Sequence, residues 1–225
     1  MIPARPESID LIGGHCALDL VNTVSWRHDS DQWRENLAAP LDLVTWSRRA
    51  AVLDAHQLDA MRLAMVQDPD TADSVLRQVH ELREQLYQHL ADRIDHPGGE
   101  HQIRVGSSLH QALADAVAAS SLSGTPARWT PQARHPRDLT LALALHTLDL
   151  LQTMPRGRLH RCDDQGCGWL FLDATRNHSR RWCSSTDCGN RDRARRHHAR
   201  NRTTTRQEAP ILAGMETNQP GDDRP

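Results

Sequence analysis

Four of the chain's five cysteines stand in two matched pairs. Cys162 and Cys167 have four residues between them, Cys183 and Cys188 have four, and fifteen residues separate the pairs. A segment this short buries too little apolar surface to hold itself together, because Trp169, Phe171 and Trp182 offer only a miniature core. Two short loops that each turn two thiolates toward one point supply what is missing. This is the donor set of a tetrahedral structural Zn2+ site, and the spacing predicts Cys162, Cys167, Cys183 and Cys188 as its ligands. Metal binding of this kind contributes roughly 10–16 kcal/mol to folding in finger peptides. A redox dithiol and four unrelated thiols are the competing readings, and His178, His197 and His198 are the residues that could replace a ligand. The fifth cysteine, Cys16, is distant and is expected to be a buried free thiol.

The residues around the pairs suggest how the segment folds. Trp169-Leu170-Phe171-Leu172 reads as a strand, Arg180-Arg181-Trp182 as its partner, and Asp173 to Ser179 as the loop between them. A helix is predicted from Asn190 to about Arg202, with Cys188 at its start, where the helix dipole favours a thiolate. Knuckle, hairpin and ligand-bearing helix together make a treble-clef finger.

The run CGWLFLDATRNHSRRWCSSTDCGNRDRARRHHAR, residues 167–200, resembles the CGNR zinc finger, whose tetrad stands here as Cys188-Gly189-Asn190-Arg191. The run GGHCALDLVNTVSWR, residues 13–27, resembles the start of the ABATE domain, which precedes this finger in its family. The resemblance implies a bacterial transcription regulator with a mixed, mainly helical N-terminal domain. It also implies the same four cysteines as zinc ligands.

Charge is distributed unevenly. All 27 basic residues are arginine, so a single arginine is a weaker mark of bidentate recognition than usual. Residues 1–155 hold 13 arginines against 20 acidic residues, a balance of -7, while residues 156–206 hold 13 against 5, a balance of +8. A compact basic segment is expected to meet an anion. On the last helix Arg191, Arg195, His198 and Arg202 share one stripe, and Arg193, Arg196 and Arg200 share another. With Arg176, Arg180 and Arg181 from the preceding hairpin, these arginines are the candidate contacts to double-stranded DNA. The sequence reading is a zinc-dependent DNA-binding regulator whose N-terminal domain senses a small-molecule effector or mediates assembly. The alternative is a zinc-stabilised protein- or RNA-interaction module. RNA ranks lower because no interleaved aromatic surface is present. The bland reading is a solvated helix, or one docked on the acidic body.

The fold class expected is α+β: a mainly helical domain with a few short strands over residues 1–155, the finger over 156–206, and a disordered tail over 207–225. Residues 1–155 are expected to fold without the finger. Gly13-Gly14 marks a turn before an apolar element, and a helix follows Pro40 with Leu41, Val44 and Trp46 inward. Asp54 caps a helix to about Met65, and Asp68-Pro69 starts one that runs to about Ile94 and buries Val75, Val79, Leu82, Leu86 and Leu90. Leu109 to Leu122 reads as helix, Ile103–Val105 and Ala127–Thr130 as short strands, and Leu139 to Met154 as a buried helix. No signal peptide or membrane span is visible, so a cytoplasmic protein is expected. No catalytic motif is present, and four thiolates leave zinc no open position, so the chain is not expected to be an enzyme. His80 and Glu84 read as a surface ion pair, and Asp19, Asn22 and Thr23 as polar groups that satisfy buried backbone.

Overall fold

Helix caps set most of the element boundaries in the computed structural model, which describes residues 9–207, with side chains through residue 200. His15 Nδ1 accepts from the Ala17 amide and opens α1 (Cys16–Val21). Strands β1 (Val24–Ser25) and β2 (Arg34–Glu35) then form a minimal antiparallel pair. Helix α2 (Pro40–Arg49) starts on its proline. Helix α3 (Ala55–Gln67) starts on a reciprocal box between Asp54 and Gln57. Asp68 accepts from the Thr71 amide and starts α4 (Pro69–Asp95), whose 27 residues span about 40 Å. Next come α5 (Ser108–Ala118), the antiparallel pair β3 (Ser120–Ser123) and β4 (Arg128–Pro131), and α6 (Asp138–Thr153). The C-terminal part is β5 (Leu159–Arg161), β6 (Leu170–Leu172) and α7 (Cys188–Gln207).

The apolar stripe of α4 organises the core. Val75, Val79 and Leu82 pack with Trp46, Leu58, Met61 and Leu143. Further along the same stripe, Leu86 and Leu90 pack with Ala17, Leu18, Val21 and Leu150. Leu170, which lies between the two cysteine pairs, is buried in that second cluster. The finger therefore inserts a strand into the core of the helical body. The main chain repeats the connection. Leu172 N donates to Gly13 O at 2.8 Å, Arg27 N to Cys167 O at 3.1 Å, and His28 N to Gly166 O at 3.2 Å. The Trp169 indole donates to Val24 O at 2.8 Å. Gly168, at φ +73°, lets the chains approach this closely, since a Cβ there would sit 2.7 Å from Arg27 Cβ. Independent folding of residues 1–155 is not what this shared core supports.

Several local expectations are corrected. Leu41 is exposed, and Leu43 points inward with Val44 and Trp46. The helix expected through Leu122 ends at Ala118, because Ser120–Ser123 pairs with Arg128–Pro131. Ile103–Val105 forms no strand. The partner of β6 is β5, with Leu159 opposite Leu172 and Arg161 opposite Leu170, not Arg180–Trp182. The knuckle Cys162–Cys167 is thus the turn of the hairpin. The loop Asp173 to Ser179 is closed by Asp173, which accepts from Thr175 Oγ1 and from the Thr175 and Arg180 amides. These bonds hold the Asp173 carboxyl down at about 2. The tail from residue 208 lies outside the described residues.

Candidate metal centre and the helix that follows it

The turn of the β5–β6 hairpin supplies Cys162 and Cys167, the irregular segment before α7 supplies Cys183, and the first residue of α7 supplies Cys188, so the four cysteines meet at one point. All four are buried, and their sulfurs lie within 4.8 Å of one another. Cys167 and Cys183 are 3.6 Å apart, and Cys183 and Cys188 are 3.4 Å apart. A tetrahedral ZnS4 unit with bonds of about 2.3 Å needs sulfur separations of about 3.8 Å, so the set fits zinc closely. Disulfide sulfurs would stand about 2.05 Å apart. Sulfurs this crowded cannot all be anionic without a cation. Hydrogen bonds between the sulfurs, those to Cys162 first, push Cys183 and Cys188 above the usual thiol range and leave Cys162 below it. A divalent cation replaces those shared protons when it binds. The Cys183 amide donates to Cys162 Sγ at 3.4 Å. His178 lies in an exposed loop, and His197 and His198 stack edge-on in the exposed part of α7, so none joins the sulfur cluster.

The tetrad that opens α7 can be read residue by residue. Cys188 supplies a sulfur. The Gly189 amide donates to Ser184 O at 2.9 Å, and the glycine packs on the Trp182 ring. Asn190 donates from its side chain to Thr186 O. Arg191 reaches back to Cys188 Sγ at 2.8 Å, donates to Asp164 at 2.8 Å and to Asp187, and lies 4.5 Å over the Trp26 ring. Asp164, only 2% exposed, also accepts from Arg195 at 3.0 Å. One carboxylate inside the first knuckle therefore holds the first two turns of α7. Sequence reasoning missed Asp164. The available signal was an acid within the first cysteine pair facing arginines four apart after the last cysteine.

Two domain families match the chain. Residues 14–154 match ABATE, described as "Putative stress-induced transcription regulator", and residues 158–201 match the CGNR zinc finger. The chain belongs to the ABATE family. No curated protein matches it.

In this ABATE protein the nine arginines singled out above serve different ends. Arg180 turns inward. Its guanidinium donates to Ile12 O at 3.0 Å and to Cys183 O at 2.6 Å, and it lies 4.2 Å over the Phe171 ring. Arg191 is likewise taken up in bracing the finger. Arg181 pairs with Asp163 at 2.7 Å on the surface, Arg193 bonds Asn190 and Ser185 O, and Arg196 pairs with Asp192 at 2.8 Å. Arg176 is exposed in the loop after β6, and Arg200 is exposed on α7. The side chain of Arg202 lies outside the described residues. Every residue from Arg193 to Arg200 is exposed, so this part of α7 projects from the finger and does not lie along the acidic body.

The remaining polar candidates are structural. Asp19 accepts from the Gly13 amide at 2.8 Å, and Thr23 donates to Leu20 O and accepts from Arg83. His80 does not pair with Glu84. It contacts Leu37 O at 3.0 Å, while Arg27 and Arg83 hold Glu84. Cys16 is a partly buried free thiol pushed up to about 12 by burial and then by Asp19, which makes it inert. Among the described residues no helix is long and apolar enough to cross a membrane.

Proposed function

We propose that this protein is a cytoplasmic, zinc-dependent transcription regulator that binds duplex DNA through the projecting half of α7. The observation that carries the reading is the exposed, arginine-rich run from Arg193 to Arg200, anchored at its base by Asp164 and the metal ligands. A 20-residue helix is about 30 Å long, and a single α-helix fits the major groove. In this reading Arg193, Arg196 and Arg200 contact phosphates, with Arg176 and Arg181 on the adjoining loop and Arg202 further along the helix. Arg180, Arg191 and Arg195 support the finger and act on DNA through its geometry. Four sulfur donors complete a tetrahedral sphere, so the reading is non-enzymatic. The helical body senses a small molecule or mediates assembly.

Retention of random genomic duplex fragments by the whole, zinc-loaded protein tests this reading. It predicts retention at low salt that chelation abolishes. Equal retention with and without zinc, or none at low salt, contradicts it.

A further inference from the structure

The β3–β4 hairpin crosses α6 and encloses a cleft of about 350 Å3 with Val52 on its far wall. That volume is at the lower end of small-molecule sites. Ala142 and Leu145 give it an apolar floor, and Trp129 gives it an aromatic wall. Arg128 on the hairpin and Asp149 on α6 are its two permanently charged residues, and Asp149 is the anion. One of its oxygens contacts His15 Nε2 at 3.1 Å, and the other is only 3.7 Å from Arg128, whose side chain is 73% exposed and can swing clear. His146 also lines the cleft, and burial lowers its affinity for a proton, so it adds no positive charge at neutral pH. The larger cleft of about 710 Å3 between α4, α5 and α6 has no aromatic residue.

We propose that the cleft between the β3–β4 hairpin and α6 binds a small cation that carries an aromatic ring, such as an arylalkylamine or an aromatic amidine. The ring would rest against Trp129 and the apolar floor, and its N–H groups would donate to Asp149. The site is also placed to report occupancy. Asp149 holds His15, the N-cap of α1, and Asn22 at the other end of α1 holds Leu170 in the strand that leaves the zinc knuckle. Whether the cleft takes such a ligand does not depend on what α7 binds.

Saturation-transfer NMR and calorimetry with benzamidine and tryptamine, against benzoate as the matched anion, test the site on the full-length zinc-loaded protein. Saturable binding of the cations and not of benzoate is expected at millimolar concentration. Asp149→Asn should weaken it roughly ten-fold or more, because a charge-assisted hydrogen bond is lost. Trp129→Ala, at an exposed position, should weaken it by about two- to five-fold with the melting temperature unchanged. No binding of either cation, binding that favours benzoate, or affinities unchanged in both variants would overturn the proposal.

Discussion

Asn22 and Leu170 are joined by two hydrogen bonds. Asn22 Nδ2 donates to Leu170 O at 2.8 Å, and Leu170 N donates to Asn22 Oδ1 at 2.9 Å. A side-chain amide thus does what a neighbouring strand would do, and it pairs the first helix of the body with a strand of the finger. Asn22→Ala would leave both main-chain groups buried and unpaired. A loss of about 2–4 kcal/mol is expected in urea unfolding, and a loss under about 0.5 kcal/mol would show that the seam contributes little.

Because Leu170 also completes the apolar cluster around Leu86, Leu90 and Leu150, metal and body are expected to be coupled. Purified protein should contain one zinc per chain, and Cys183→Ser should lose it. Chelation should lower the melting temperature of the helical signal as well as unfold the finger. An unchanged melt of the helices after zinc removal, or a residue 1–155 fragment as stable as the whole chain, would contradict that coupling.

This coupling was the part of the fold that the sequence did not make legible. The cysteine spacing, the Asp54 and Asp68 caps and the α4 stripe are local patterns, and each led to the observed element. The tie between Asn22 and Leu170 spans 148 positions, and no local pattern announces it. The same limit explains the misplaced hairpin. Arg180–Trp182 looked strand-like, but Arg180 spends its guanidinium on Ile12 O and Cys183 O, while Leu159–Arg161 lies in register with β6. The α7 arginines were legible as a charged helix. Which of them brace the finger was not, because Asp164 decides it from the other side of the metal site.

The buried Arg83 makes a bidentate pair with Glu35 at 2.8 and 2.6 Å and also bonds Thr23 and Glu84. Glu35→Gln removes the charge that compensates a side chain only 3% exposed. Breaking such a pair from one side typically costs about 3–5 kcal/mol. Denaturant melts of the variant should show a loss in that range. A stability equal to the wild type would mean that Glu84 alone neutralises Arg83.

The pKa of Asp19 is shifted upward, whereas Asp68, Glu84, Asp92, Asp95 and Asp173 are shifted downward. Burial raises the Asp19 pKa from 3.8 to about 6, despite hydrogen bonds from the Gly13 amide that lower it. The folded chain therefore holds this proton where the unfolded chain has lost it. The Asp19 contribution thus favours folding at low pH and weakens as pH rises from about 4 to 6. Relative to the wild type, Asp19→Asn should gain stability across that window by up to about 3 kcal/mol. A carboxyl resonance for Asp19 titrating near 4 would remove the basis for the effect.

The salt dependence of duplex binding tests the central claim most directly. If Arg193, Arg196 and Arg200 with neighbouring arginines neutralise four to six phosphates, log K should fall against log salt with a slope of roughly -4 to -5. Arg193→Ala and Arg200→Ala should each reduce the slope by about one unit while zinc content stays unchanged. Arg191→Ala should instead lower zinc retention along with affinity, because its guanidinium contacts Cys188 and Asp164. A shallow slope that none of the exposed α7 arginines changes would contradict the account.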